Sequence, residues 1–319
     1  MKLIRSSLLI LGLTISPLAL AKVPVTATFS ILGDLVQQVG GDQVSVSTLV
    51  GPNGDAHVYQ PTPQDIRTLA NSKLLVSNGL SFEGWLERLD TASGFKGVKV
   101  VASQGIQPHQ MQEEEAEHQD DAAHDHADAD HDHEAEAGHH HHGGLDPHAW
   151  NNPANVLIYV DNIARGLSQV DPEHASLYAD NAARYKAQLQ KLDADYRARF
   201  AKLPADRRRA ITSHDAFGYL AQAYHLTLIG AQGISTDAEP SAAEIAGLIR
   251  QIRNEKIPAL FVENISNPNL IQQIERETDA RVGGELYSDA LSPAGGDAAT
   301  YLAMLEHNLN TLLAALEKQ

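Results

Sequence analysis

The sequence predicts an α/β fold of two lobes, each built on a parallel β-sheet. Three observations support this: short β-branched runs alternate with amphipathic stretches, the alternation occurs twice, and a long stretch of helical spacing separates the two series. With 319 residues and 43% hydrophobic content, the chain can fill two packed cores. We expect residues 22–170 to form the first lobe, 171–203 a connecting helix and 204–319 the second lobe.

The N-terminus resembles a secretory signal peptide. Lys2 and Arg5 precede an apolar run that Pro17 interrupts, and small residues at Ala19 and Ala21 form a cleavage site. The apolar run is short for a membrane span. We therefore predict that residues 1–21 are a signal peptide, that it is removed, and that the protein is periplasmic.

Composition narrows the possible partners and sites. The formal net charge of −17 argues against nucleic acid and anionic lipid as partners, because both are polyanions. The absence of cysteine excludes disulfides, thiolate metal sites and cysteine catalysis, and leaves no residue for a lipid anchor. Any metal site in this chain must therefore use nitrogen and oxygen ligands.

The predicted elements follow a βα order in both halves. In the first half we expect strands at 23–29, 44–50, 73–78 and 98–102, and helices at 31–39, 62–71 and 82–89. In the second half we expect strands at 209–213, 226–231, 259–263 and 281–287, and helices at 217–224, 241–255, 268–278 and 300–317. Such alternation is typical of parallel sheets with helical crossovers.

Residues 171–203 are predicted to form one long helix. Asp171 and Pro172 are a start signal, apolar residues recur at helical spacing, and Pro204 is a stop signal. A helix of about 30 residues would be about 45 Å long, enough to run the length of two domains. An ordinary core helix followed by a loop is the alternative that the spacing leaves open.

A segment rich in histidine and acid interrupts the first lobe, and we predict a disordered loop at 107–145. Of the 34 residues from 109 to 142, ten are His and twelve are Asp or Glu. Low hydrophobicity and like charge oppose a packed core, whereas imidazole beside carboxylate binds Zn²⁺, Ni²⁺ or Cu²⁺. The predicted auxiliary metal-binding residues are His124, His126, His131, His133, His139, His140, His141 and His142. A dispensable solvated loop is the alternative.

Three histidines outside this loop are candidate metal ligands. His57 follows the second predicted strand, His148 lies in a D-P-H-A-W segment, and His214 ends the first strand of the second half. Ligands of open α/β sheets gather beyond the carboxyl ends of strands. A capping or packing role is the alternative for any one of them. We assign His174, His225 and His307, which fall within or at the ends of predicted helices, to surface or packing roles.

The order of motifs resembles the metal-specific solute-binding proteins of ABC transporters, in particular the ZnuA-like zinc receptors. The motifs that carry the resemblance are G-P-N-G-D-A-H-V-Y-Q-P-T, the acidic His-rich loop, D-P-H-A-W, S-H-D-A-F-G-Y, F-V-E-N and L-Y-S-D-A-L. This resemblance implies a rigid helix between the lobes and a metal site in the cleft. Matching the motifs carries ligand roles to His57, His148, His214 and Asp289. It also implies a monomer that delivers its metal to an ABC permease.

The resemblance also bears on which metal is bound. Relatives for manganese or iron look like S-E-G-A-F where this chain has Ser213-His-Asp-Ala-Phe217. Three neutral imidazoles and the Asp289 carboxylate suit tetrahedral Zn²⁺, whereas a further carboxylate would favour manganese. We therefore predict Zn²⁺. Because protons compete for imidazole, we expect affinity to fall below about pH 6.

Asp146, Asp215 and Glu263 are predicted to orient the ligands, because a ligating imidazole usually donates its other N–H to a carboxylate or carbonyl. The sequence lacks H-E-x-x-H, G-x-S-x-G and a Gly-rich phosphate loop, and a zinc hydrolase would need an open fourth position, so we predict no enzyme activity. A periplasmic zinc buffer or metallochaperone, and a receptor for manganese or another divalent metal, are the alternative functions. A zinc metallochaperone is also a candidate partner.

Overall fold

A computed structural model describes residues 21–110 and 144–318 of the chain. The predicted signal peptide and the predicted auxiliary histidines therefore lie outside the described residues, apart from Ala21 at the cleavage site. None of the helices within 21–110 and 144–318 combines the length and apolar character that a bilayer crossing requires.

The first lobe is a parallel four-stranded sheet, as predicted. Its strands are β1 (Val23–Phe29), β2 (Val44–Val50), β3 (Leu74–Ser77) and β4 (Val98–Val101), in the spatial order β2-β1-β3-β4. Helices α1 (Ser30–Gly40), α2 (Pro63–Ala70) and α3 (Leu86–Ser93) connect them. Helix α3 begins four residues later than predicted. The buried strands are rich in Val and Leu, as expected where helices cover both faces of a sheet.

The second lobe repeats this arrangement. Its strands are β5 (Arg209–His214), β6 (Thr227–Gln232), β7 (Ala259–Glu263) and β8 (Arg281–Leu286), in the order β6-β5-β7-β8 and all parallel. The helices are α6 (Gly218–Tyr224), α7 (Ala242–Glu255), α8 (Asn269–Glu277) and α9 (Tyr301–Glu317). The predicted fold class of two parallel βα lobes is confirmed.

Two long helices follow the first sheet and precede the second sheet in the sequence. Helix α5 (Ala175–Phe200) follows one 3₁₀ turn at Pro172–His174 and packs against α1 in the first lobe and against α6 and α9 in the second. It therefore fulfils the prediction of a long helix that reaches both lobes. Helix α4 (Pro153–Val170) has no counterpart among the predicted elements, although the Asn152 side chain caps it and Pro153 occupies its first turn.

The larger hydrophobic core is continuous between the lobes. It joins strands β1 and β3 with helices α5, α6 and α9 through side chains such as Trp150, Tyr178 and Tyr301, each at most 2% exposed. A second, smaller core lies inside the second lobe beneath α7 and α8. The shared core packs the two lobes against each other, and the predicted ligands lie between the facing edges of the two sheets.

Candidate metal site

Four predicted ligands converge between the lobes. His57 lies in the loop after β2, His148 in the turn before α4, His214 at the end of β5 and Asp289 just after β8. One donor atom from each of these residues lies within 4.8 Å of the others. The sheets face each other with their carboxyl ends, which is where ligands of open α/β sheets bind. The structure thus brings together all four residues that the resemblance implied.

The spacing of the donor atoms suits a metal ion. His57 Nε2 lies 3.2 Å from His148 Nε2 and 3.1 Å from Asp289 Oδ2, and His214 Nε2 lies 3.3 Å from the same carboxylate oxygen. Four tetrahedral ligands at zinc-binding distances hold their donor atoms about 3.3 Å apart. These three separations match those of ligands gathered around a single ion, and all four donor atoms lie within 4.8 Å of one another.

Burying this group of donor atoms costs free energy unless a cation binds to them. His148, His214 and Asp289 are completely buried, and His57 is the most exposed of the four. His214 Nε2 and Asp289 Oδ1 have no hydrogen-bond partner of good geometry among the described residues. Since buried polar atoms are normally paired, such a cluster is a candidate binding site for a positive ion.

Carboxylates hold two of the imidazoles from behind. Asp146 Oδ1 accepts hydrogen bonds from both the backbone N–H and Nδ1 of His148, each at 2.9 Å. The Glu263 carboxylate accepts a bond from the His214 backbone N–H at 2.9 Å and another from Nδ1 at 2.5 Å. With the proton held on Nδ1, each ring directs Nε2 at the centre of the cluster.

The predictions for Asp146, Glu263 and Asp215 therefore have different outcomes. Asp146 and Glu263 contact ligand imidazoles as predicted. Asp215 is exposed, and no hydrogen bond joins its side chain to an imidazole within the described ranges; its backbone N–H bonds to Gly233 O. Its carboxyl still lies close enough to the site for burial and Asp146 to raise its pKa against the opposing effect of His148 and His214.

The carboxylates of the site favour a bound cation, and without one they favour protonated imidazoles. Burial alone would lower the pKa of His148, but the carboxylates of Asp289 and Asp146 outweigh it and raise this pKa to about 9. Burial would likewise lower the pKa of His214, but Glu263 and Asp289 hold it well above its usual value. Burial would raise the pKa of Asp289, yet the two imidazoles hold it well below its usual range.

An aromatic wall, which sequence analysis missed, closes one side of the site. Phe82 packs edge-on against His57 with ring centroids 4.8 Å apart, and Trp150 lies 5.3 Å from His148. Trp150 Nε1 also donates to Ser288 O at 2.9 Å, beside Asp289. Only the position of Trp150 inside the D-P-H-A-W motif could have signalled this role. The wall excludes water and strengthens electrostatic interactions within the site.

The remaining histidines outside the auxiliary loop lie away from the cluster. His174 Nδ1 bonds to Asp171, and His307 Nε2 bonds to Glu285 O. His225 is exposed at the end of α6. These positions agree with the predicted surface and packing roles. His109 stacks on Tyr219 with ring centroids 3.9 Å apart, so the start of the His-rich segment is packed against the second lobe.

Comparison with known proteins places the chain among metal receptors. The family model described as "Zinc-uptake complex component A periplasmic" matches residues 25–315. The iron-binding protein YfeA of Yersinia pestis is 32% identical, with 91% of this chain and 85% of the relative aligned. The manganese-binding lipoprotein MntA of Halalkalibacterium halodurans is 28% identical, with 92% and 88% aligned. The solved structure of the periplasmic zinc-binding protein TroA from Treponema pallidum is 30% identical, covers 93% of this chain and 99% of its own, and superposes with a TM-score of 0.79.

Proposed function

This chain belongs to the ZnuA family of metal-binding receptors of ABC transporters, whose members are not enzymes, and we propose that it captures Zn²⁺ and delivers it to a membrane permease. Several relatives are named as lipoproteins or periplasmic proteins, so the family acts outside the cytoplasm. For this chain, which has no cysteine, we propose a periplasmic protein released from a cleaved signal peptide.

The observation that carries the proposal of zinc is the donor set at the cleft. Three imidazole nitrogens and one carboxylate oxygen converge, and His214 supplies nitrogen at the position where a carboxylate would suit manganese. Nitrogen-rich four-coordinate sites are typical of zinc, while manganese prefers more oxygen ligands. The relatives are named for zinc, manganese and iron, so the family alone does not decide the metal.

Selectivity for zinc over manganese is expected to depend on His214. Most nitrogen and oxygen sites bind Zn²⁺ more tightly than Mn²⁺, so the useful quantity is the change in the affinity ratio. We expect His214→Glu combined with Glu263→Gln to lower the Zn/Mn affinity ratio at least ~10-fold, since it exchanges a nitrogen ligand for oxygen. The second substitution prevents the introduced carboxylate from facing the buried carboxylate of Glu263.

This ratio is measured by competition titration with both metals, with Glu263→Gln alone as the matched control. An unchanged ratio in the double variant would show that position 214 does not set the preference. Manganese in the parent protein, isolated from cells that are supplied with both metals, would contradict a zinc receptor directly.

A zinc buffer is the second candidate function, and the His-rich segment is the feature that favours it. The segment's own metal binding stays a prediction. Deleting residues 110–142 is expected to leave one tight zinc site, because none of the four cleft donors is removed, while total zinc bound per chain falls. Equilibrium dialysis measures both quantities. Loss of the tight site on deletion would favour the buffer, and an unchanged stoichiometry would exclude extra sites in the segment.

The proposed physiological partner is the cognate ABC permease. A periplasmic zinc metallochaperone as a further partner and a monomeric state both stay predictions. Delivery requires that the buried ion be released when the receptor docks, so the contacts that hold the cleft closed are relevant to function.

A further inference from the structure

One of the four ligands is held differently from the others. Carboxylates fix the rings of His148 and His214, and Asp289 is itself completely buried three residues after the end of β8. For the His57 ring, no such carboxylate bond at Nδ1 occurs in the described part of the chain. The position of His57 therefore depends on the backbone of its own loop, residues 51–57, which we call the His57 loop.

The His57 loop is attached to the second lobe at two points on its outer side. The Asn53 backbone N–H donates to Leu291 O at 3.0 Å, and Asn264 Nδ2 donates to Asn53 Oδ1 at 3.0 Å. Asn53 itself has a φ of +54°, a left-handed conformation that asparagine tolerates better than most residues. Leu291 lies two residues after Asp289, so the loop is tied to the segment that carries another ligand.

A third attachment leads directly to the ligand. Asp55 Oδ1 accepts the hydrogen bond of the His57 backbone N–H at 2.9 Å, while Asp55 Oδ2 accepts that of Thr236 Oγ1 at 2.6 Å. One carboxylate thus connects the second lobe to the backbone of His57. Asp55 and Thr236 are 181 positions apart in the chain and belong to different lobes. Their hydrogen bond therefore exists only while the lobes are together.

The surroundings of Thr236 leave room for this contact to break. A cavity of about 470 Å³ lies beside it, and Asp55, Thr236 and Ser213 line part of its wall. Strand β6 ends at Gln232, and Thr236 lies in the segment that follows it. This segment is not part of a sheet or helix. The only side-chain hydrogen bond of Thr236 among the described residues is the one to Asp55, so a displacement of Thr236 would free Asp55.

From these contacts, and on the basis of the metal receptor proposed above, we infer that Asp55 is a positioning residue that couples lobe closure to the ligand His57. While Thr236 bonds to Asp55, the His57 loop holds Nε2 on the metal. When the lobes separate at the permease, loss of this bond releases His57 first, and the ion keeps His148, His214 and Asp289 until it is transferred.

The test measures the rate of zinc dissociation into excess chelator by stopped flow. Thr236→Val keeps the shape of the side chain and removes the hydroxyl donor, so dissociation should become about tenfold faster, as expected for one hydrogen bond to a charged group. Thr236→Ser retains the donor and should dissociate at the parent rate. An unchanged rate in Thr236→Val would overturn the inference.

A double-mutant comparison separates positioning from general stability. In a His57→Ala background, where three ligands remain, Thr236→Val should cause no further acceleration. The same tenfold acceleration in that background would mean that the contact stabilises the lobes in general, which overturns a role through His57. If His57→Ala alone leaves zinc binding unchanged, the proposed metal site fails instead, so the two failures are distinguishable.

Variants of Asp55 supply an independent check. Asp55→Asn can still accept from His57 N–H and can donate to the Thr236 hydroxyl, so it should retain slow dissociation. Asp55→Ala loses both bonds and should release zinc at least as fast as Thr236→Val. Equal, slow dissociation in Asp55→Ala would overturn the inference.

Discussion

Replacing His214 by alanine is expected to abolish tight zinc binding, with a loss of affinity greater than about 100-fold, because loss of an outer partner of a ligand alone typically costs 10- to 100-fold. The His214 ring is completely buried and supplies one of four donors. Its removal also leaves the Glu263 carboxylate without the Nδ1 bond in a buried position. Competition titration against a chromophoric chelator measures the loss.

The matched control is His225→Asn, a histidine substitution in the same lobe. His225 is exposed and has a φ of +56°, a conformation that asparagine tolerates. This variant should bind zinc as the parent protein does. Thermal unfolding of the metal-free proteins establishes whether His214→Ala remains folded; a folded variant with unchanged zinc affinity would remove His214 from the ligand set.

The His214→Ala variant also tests whether the receptor delivers zinc to a transporter. Zinc-loaded parent protein should stimulate ATP hydrolysis by the cognate ABC transporter, permease and ATPase together, in vesicles, whereas His214→Ala should not do so at the same zinc concentration. A receptor that binds zinc tightly yet leaves hydrolysis unchanged would favour the zinc buffer over the transport receptor.

The fold was largely predictable because hydrophobic periodicity and the residues that end helices and strands are signals within short stretches of sequence. Strand β1 was predicted at 23–29, as observed, and the capped helix α7 was predicted within one residue. Helix α4 was missed, although Asn152 and Pro153 supply start signals, because it follows the low-hydrophobicity segment and only one 3₁₀ turn separates it from the next helix. Helix boundaries depend on caps that a pattern of apolar residues does not reveal.

His57 and His214 were predictable from their positions at the carboxyl ends of predicted strands, whereas the roles of His148 and Asp289 depended mainly on the motifs of the family resemblance. Glu263 could be connected with His214 only through the F-V-E-N motif, since 49 positions separate them. The contact between Asp55 and Thr236 had no sequence signal, because neither residue belongs to a periodic element and their pairing depends on how the lobes meet. Asp215 adjoins a ligand in the sequence, but its exposed side chain makes no hydrogen bond to an imidazole among the described residues.

Zinc binding is expected to release protons, about two per ion near pH 7, because metal binding requires deprotonated imidazoles. The carboxylates around the site raise the pKa of His148 to about 9 and that of His214 well above its usual value. We therefore expect both rings to be imidazolium ions in the metal-free site near neutral pH. Since each ring shares its Nδ1 proton with a carboxylate, the proton that zinc displaces is the one on Nε2.

The direction of the pH dependence follows from this competition. As pH falls, the protonated rings are favoured over the zinc complex, so affinity decreases by about tenfold per pH unit for each proton released. The decrease should be evident below about pH 9, where His148 is at least half protonated in the metal-free site, and continue through neutrality. The sequence alone suggested a decrease only below about pH 6, because it did not reveal how the carboxylates pair with the rings.

Calorimetry in buffers with different ionisation enthalpies measures the number of protons released, and competition titrations from pH 6.5 to pH 9 measure the slope. Asp146→Asn is the matched variant, since it keeps the size of the side chain and removes one of the charges that raise the pKa of His148. It should release fewer protons at pH 8 than the parent protein. Zinc affinity that is independent of pH between 7 and 8, with no proton release, would contradict protonated imidazoles in the metal-free site.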